Sequence, residues 1–192
     1  MEENDTFEVK EIYRHIYVIE NIMSDSECEF FIDYINSNDN KDTDDNIVRA
    51  FVRNLQNNIE SDIIVNKKIH SLCNKLFRSI IKINPFVEIN GDIFYHLRKI
   101  YGPTSLHTDE VPSTVNNFID NKIRTIALII NLNDDYQGGE FHFPKQNVTH
   151  KMKRGSAILF PPFWTHPHEI SDVSSYRYTI TTWGTEKIIT QS

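Results

Sequence analysis

The chain has 192 residues, enough for one substantial core, and a net charge of -7. That acidic balance argues against a broad nucleic-acid surface, so no nucleic-acid partner is expected. Apolar runs such as Ile126–Ile130 are too short to span a bilayer, and no membrane contact is expected.

The opening MEENDTFEVKE is acidic and lacks the basic-then-apolar order of a secretion signal. Only two cysteines occur, Cys28 and Cys73, both in helix-like segments. A disulfide framework is not expected, and a reducing, cytoplasmic setting is. The sequon Asn147-Val148-Thr149 is read as chance on the same ground.

Residues 8–20 alternate in polarity and predict a strand. Ser24-Asp25-Ser26-Glu27 reads as a capping box opening a helix over 25–37, with Cys28, Phe31, Ile32 and Ile35 on one face. Asn38 to Asp45 is polar and acidic and reads as a solvated loop. It lacks the glycine and closing glutamate of a calcium loop. A short strand is expected over 47–55. A second helix over 61–83 follows, with an apolar stripe of Ile64, Ile69, Leu72, Leu76, Ile80 and Ile81, stopped by Asn84-Pro85. From Val87 onward the pattern turns to short strands, near 87–101, 105–109, 123–132, 139–143, 156–161 and 175–184. Helices followed by strands predict an α+β domain over 1–192. Helical support (about 22–85) would brace a β-sandwich or jelly-roll core (about 87–185).

The residues with chemical capacity fall in the strand region. His107 and Asp109, two apart on an extended segment, point to one face. His166 and His168 lie on a later stretch, and either could add a second imidazole. Two imidazoles and one carboxylate are the ligand set of a facial site for Fe(II) with open positions. Arg177 follows inside an alternating strand that places Thr181 and Trp183 on its face. Its planar fork suits a carboxylate. Taken alone, His-x-Asp is a weak signal and Arg177 reads as an exposed strand charge. His70, His96 and His142 read as packing or surface residues, and His15 and His150 carry no signal.

The order of landmarks strengthens the pattern. Ile126–Leu132 leads into Asn131-Leu132-Asn133, followed by Gly138-Gly139-Glu140-Phe141, Phe143-Pro144, and Gly155-Ser156-Ala157 entering Ile158-Leu159-Phe160-Pro161. With the histidines, Arg177 and Trp183, this succession resembles the 2-oxoglutarate/Fe(II) dioxygenase superfamily, and within it the prolyl 4-hydroxylase-like group. The likeness covers residues 92–184 and extends loosely to the capped first helix.

The resemblance implies a double-stranded β-helix (jelly roll) braced by N-terminal helices. It implies that His107, Asp109 and a distal histidine hold Fe(II), and that a basic residue nine or ten positions later binds 2-oxoglutarate. Arg177 is nine residues after His168 and eleven after His166, and Pro167-His168-Glu169-Ile170 looks like the family's distal-ligand motif. The resemblance therefore assigns His168, with His166 as the alternative. It gives Arg177 and Thr181 to the far carboxylate of the cosubstrate and makes Trp183 a pocket wall. Where the family has a tyrosine, this chain has Arg98, so Tyr95 or Tyr101 is expected to reach the cosubstrate instead. Asn131 also departs from an aromatic.

The implied chemistry is hydroxylation of an unactivated C–H bond, using Fe(II), 2-oxoglutarate and O2, with ascorbate as an optional reductant. The Asp109 carboxylate fits hydroxylation rather than halogenation. The expected substrate is a peptide or protein. The alternatives are a free amino acid or small metabolite, or a non-catalytic metal-binding jelly-roll module. The polar segment Glu110–Lys122 reads as either a lid or a plain connection.

Overall fold

The computed structural model describes residues 6–38, 42–44, 48–54, 60–110 and 122–187. The strand expected over 8–20 is a hairpin of β1 (Lys10–Tyr13) and β2 (Ile16–Ile19). His15, at φ 64, takes the left-handed conformation that reverses the chain between them.

Helix α1 (Asp25–Asn36) begins at the expected capping box. The Glu27 N–H donates to Ser24 Oγ, and the Ser24 N–H donates to Glu27 Oε2 at 2.8 Å. Part of the stretch read as loop is instead β3 (Asp42–Asp44), paired with β4 (Val48–Asn54).

Helix α2 (Glu60–Ile83) buries Val65, Ile69, Cys73, Leu76, Phe77 and Ile80. Ile64, expected on that face, is 50% exposed, because the i, i+4 ladder runs through Val65 and Ile69 instead. The Asn84 N–H closes the last turn on Ile80 O at 2.8 Å, and Pro85 ends it.

The β region consists of β5 (Gly91–His107), β6 (Lys122–Asn131), β7 (Phe141–Phe143), β8 (Val148–His150), β9 (Ser156–Phe160), β10 (His168–Ile170) and β11 (Arg177–Lys187). Two expected strands, 87–101 and 105–109, are one long β5. Strands β8 and β10 were not anticipated, because three residues are too few to show an alternation.

Every pairing among the described residues is antiparallel, in the order β1-β2-β9-β6-β11-β5-β10-β7-β8, with β4 added to β5. The first part of β5 lies between β4 and β11, and its far end pairs with β10. One continuous path thus folds over itself as the two layers of a jelly roll.

Strands β2 and β9 and the Ile126–Asn131 part of β6 are buried on both faces and sort their side chains with period two. Ile126, Leu128, Ile130, Ala157, Leu159 and Ile19 pack toward Phe31, Ile35, Ile69 and Leu76 of the helices. Ala127, Ile129, Ile158 and Phe160 point the other way, to Phe141, Phe143, Ile170 and Trp183 inside the roll. The helix-side core fixes the wall from which the interior face projects. Cys28 and Cys73 are buried and free. Among the described residues no helix is long and apolar enough to cross a membrane.

Candidate metal centre

Strands β5 and β10 meet with His107 directly opposite His168, and Thr104 opposite Ile170. Three steps on β5 thus match two on β10, which is a bulge in β5. The bulge decides the chemistry, because it switches the inward parity of β5. Arg98, Ile100 and Thr104 line the interior as even-numbered residues, and past the bulge His107 and Asp109 do so as odd ones.

One ligand atom each from His107, Asp109 and His168 lies within 4.8 Å of the others. Both imidazoles are oriented by a carbonyl two residues earlier. His107 Nδ1 is 2.7 Å from Ser105 O, and His168 Nδ1 is 3.3 Å from His166 O. A carbonyl only accepts, so each Nδ1 carries a proton; His168 Nε2 keeps its lone pair, and His107 Nε2, 3.4 Å from Asp109 Oδ1, frees its own for a metal on releasing the proton it donates to that carboxylate. The rings of Phe160, Phe143 and Phe141 surround His168 at 4.6, 5.6 and 6.2 Å.

That apolar cage pushes the His168 imidazole down to about 4, with the His107 charge acting in the same sense against the pull of Asp109. For His107, burial favours the neutral ring, but the hydrogen bond and charge of Asp109 outweigh it and raise the pKa. Burial likewise works to raise the Asp109 carboxyl. The His107 hydrogen bond and the fields of His168, His107 and Arg98 prevail, holding it at about 2. The cluster is therefore one carboxylate facing two imidazoles, which is a ligand set for a borderline divalent cation such as Fe(II).

Behind the triad is a narrow cavity of about 30 Å³, walled at its other end by Arg177, Thr179 and Thr181. These three follow the two-residue repeat of β11. Arg177 is 2% exposed. Its Nη1 donates to Gly139 O at 3.4 Å, and its guanidinium lies 5.4 Å from the Phe141 ring centre. Gly139 sits at φ 73, and a side chain there would drive a Cβ to 2.6 Å from the Tyr136 ring. Burial lowers Arg177 to about 10, so it remains charged at neutral pH. Arg177 Nε and the hydroxyls of Thr179 and Thr181 are buried and have no partner among the described residues. A buried cation without a carboxylate is costly. The donors at this end of the cavity thus suit the far carboxylate of a chelating acid.

Other residues singled out in the sequence lie elsewhere. Tyr95 is on the helix-facing side of β5, where its hydroxyl bonds Asp92 and His70, so the expectation that it reaches the cosubstrate is corrected. Tyr101 shares that odd parity and does not line the cavity. The physical reason for both is the two-residue alternation, which turns Arg98 inward. His166 is no part of the cluster. Its Nδ1 bonds Thr165 and its Nε2 approaches Arg14 O at 3.3 Å, while its backbone carbonyl orients His168. His142 pairs with Glu169 on the outside of the roll. Between its end residues, the Glu110–Lys122 segment lies outside the described residues.

Sequence reasoning passed over three residues. Thr179 was signalled by the same repeat that named Thr181. Tyr136 stands beside Arg177 and donates to Asn131 Oδ1 at 3.1 Å, a link no local pattern announces. Arg124 lays its guanidinium 3.8 Å from the Trp183 ring centre and donates from Nη1 to Asp109 O at 2.8 Å.

The family model for the 2OG-Fe(II) oxygenase superfamily matches residues 96–185, a span that contains the triad, Arg177 and its threonines. Solved structures that share the fold include three prolyl hydroxylases. A viral collagen prolyl hydroxylase from Paramecium bursaria Chlorella virus-1, in complex with 2OG, is 16% identical, with a TM-score of 0.64 over 91% of this chain and 97% of that one. A Pseudomonas putida prolyl-4-hydroxylase is 13% identical, with a TM-score of 0.69 over 91% and 93%. A Trichoplax adhaerens prolyl hydroxylase in complex with a hypoxia inducible factor oxygen degradation domain peptide is 18% identical, with a TM-score of 0.67 over 88% and 83%. At these identities the likeness is one of fold. Comparison with curated proteins gave no match.

Proposed function

We propose that this chain, by its family a 2-oxoglutarate- and Fe(II)-dependent dioxygenase, hydroxylates a residue within a peptide or protein in the manner of a prolyl hydroxylase. In this reading His107, Asp109 and His168 hold the iron, and Arg177 with Thr179 and Thr181 receives the far carboxylate of 2-oxoglutarate. When bound, these groups supply one chemistry: O2 oxidises 2-oxoglutarate to succinate and CO2 while its second oxygen atom enters a C–H bond of the substrate.

The protein's part is geometric. The two backbone carbonyls hold the imidazoles in one tautomer. The cage of Phe141, Phe143 and Phe160 shields His168 from water. Asp109 stays ionised across the physiological range, and its backbone carbonyl is pinned by Arg124.

One observation carries the peptide reading. Arg124 Nε and Trp183 Nε1 are buried donors without an acceptor among the described residues, side by side and next to Asp109. Two such donors suit a carbonyl oxygen of a peptide backbone, and leaving them unmet is costly. Phe94 (44% exposed), whose ring centre is 5.9 Å from that of Trp183, offers apolar contact beside them. The prolyl hydroxylase neighbours, one of them in complex with a peptide, support the same reading.

The test is mass-spectrometric detection of a gain of one oxygen atom on proline-containing peptides, with Fe(II), 2-oxoglutarate, O2 and ascorbate supplied. Asp109→Ala should abolish both that gain and succinate formation. Modification confined to free amino acids or small metabolites would overturn the peptide assignment.

A further inference from the structure

The inner face of β5 carries a guanidinium that the proposed cosubstrate site does not yet use. Arg98 lines the same cavity as His107, Asp109, His168 and Arg177. It stands opposite Thr179 in the pairing of β5 with β11. Its charge reaches both His107 and Asp109 on one side and Arg177 on the other, so it lies between the metal cluster and the far cation.

Its aim is held by His96. Arg98 Nη2 is 3.1 Å from His96 Nδ1, and a guanidinium can only donate, so Nδ1 is the acceptor. The His96 ring is fixed in turn by stacking on Phe94 at 5.0 Å and by the edge of Trp183 at 5.4 Å. Arg177 is packed on every side, whereas Arg98 is only partly buried on a flexible stem. Arg98 thus presents its guanidinium to the cavity between the metal cluster and Arg177.

Resting on the reading of the site as a 2-oxoglutarate pocket, we propose that Arg98 is its second anion-binding residue. It donates to the carboxylate at the metal end while Arg177 takes the far one, so both ends of the diacid meet a guanidinium. A tyrosine hydroxyl, which the family resemblance placed here, would offer a neutral donor. Arginine offers a charged fork, matched to a planar carboxylate.

The experiment is calorimetric binding of 2-oxoglutarate, and of the monoacid 2-oxobutyrate, to the Mn(II)-loaded protein, with no turnover required. Arg98→Met should weaken both acids by roughly tenfold or more, the scale of a lost charge-assisted hydrogen bond. Arg98→Lys, which keeps the charge but not the fork, should fall between wild type and Arg98→Met. Mn(II) affinity measured without acid should be the same in all three proteins. Unchanged binding of both acids by Arg98→Met overturns the proposal. A loss confined to 2-oxoglutarate also overturns it, by placing Arg98 at the far carboxylate. Failure of the wild-type protein to bind 2-oxoglutarate would instead overturn the underlying pocket reading.

Discussion

His107 and His168 face each other as direct partners across β5 and β10, with ring centres 4.4 Å apart. A bulge in one strand and a three-residue partner are enough to bring distant segments of the chain to one point. The competing histidine, His166, spends its ring on Thr165 and Arg14 and lends only its carbonyl. Bound iron should therefore fall at least about tenfold in His168→Ala, while His166→Ala retains most of it. Metal content after dialysis against a fixed Fe(II) concentration separates the two, and the reverse order would move the ligand to His166.

Arg177 is expected to act on the acid and not on the metal. It is buried, and its Nε has no partner among the described residues. Arg177→Met should raise the 2-oxoglutarate concentration for half-saturation by roughly ten- to a hundredfold, the range of a charge-assisted contact, with iron content nearly intact. Thr179→Val and Thr181→Val should each cost roughly two- to tenfold, as neutral hydrogen bonds do. Loss of iron in Arg177→Met would contradict the role.

Much of this site is legible in the chain because its parts are local. His107 and Asp109 are two residues apart, Arg177 and Thr181 share a strand phase, and the glycine landmarks announce the turns between them. What escaped is set by register and by contacts across strands. The sequence offers Tyr95 or Tyr101 to the acid, but no local signal tells which parity of β5 faces inward. Arg98 was seen only as a departure from a tyrosine, although that parity turns it into the cavity. Strands β8 and β10, at three residues each, exist by virtue of their partners. The choice between Ile64 and Val65 on α2 shows the same limit, since tertiary packing selects one of two adjacent apolar stripes.

Tyr136 answers the other departure, Asn131. The amide Nδ2 of Asn131 is committed to the carbonyls of Asn133 and Lys153, so Oδ1 must face the Tyr136 hydroxyl. That hydroxyl donates to Oδ1 and presents its lone pairs to the Arg177 guanidinium. Tyr136→Phe should leave metal content unchanged and weaken 2-oxoglutarate binding by roughly two- to tenfold. The orphaned Asn131 Oδ1 should also lower stability by about 1–3 kcal/mol. A variant that melts earlier yet binds the acid with wild-type affinity would show that Tyr136 supports the fold alone.

The acid limb of stability offers a test that needs no ligand. His96 is held near a pKa of about 3, first by burial and then by the facing charges of Arg98 and Arg124, against the weaker pull of Asp109. An unfolded histidine takes its proton near 6.5. Between those values the unfolded chain binds a proton that the folded chain refuses, so stability falls as the pH drops. The slope is at most about 1.4 kcal/mol per pH unit for this one group. His168, lowered to about 4 by its own burial, adds a contribution of the same sign in the metal-free protein. His96→Gln keeps an acceptor for Arg98 and removes the titration, leaving the His168 contribution in place. Urea unfolding of the metal-free proteins at pH 7 and pH 4.5 should show His96→Gln losing roughly 2 kcal/mol less than wild type over that interval. Equal losses would mean that the His96 ring is protonated in the fold, and that Arg98 is not held by its lone pair.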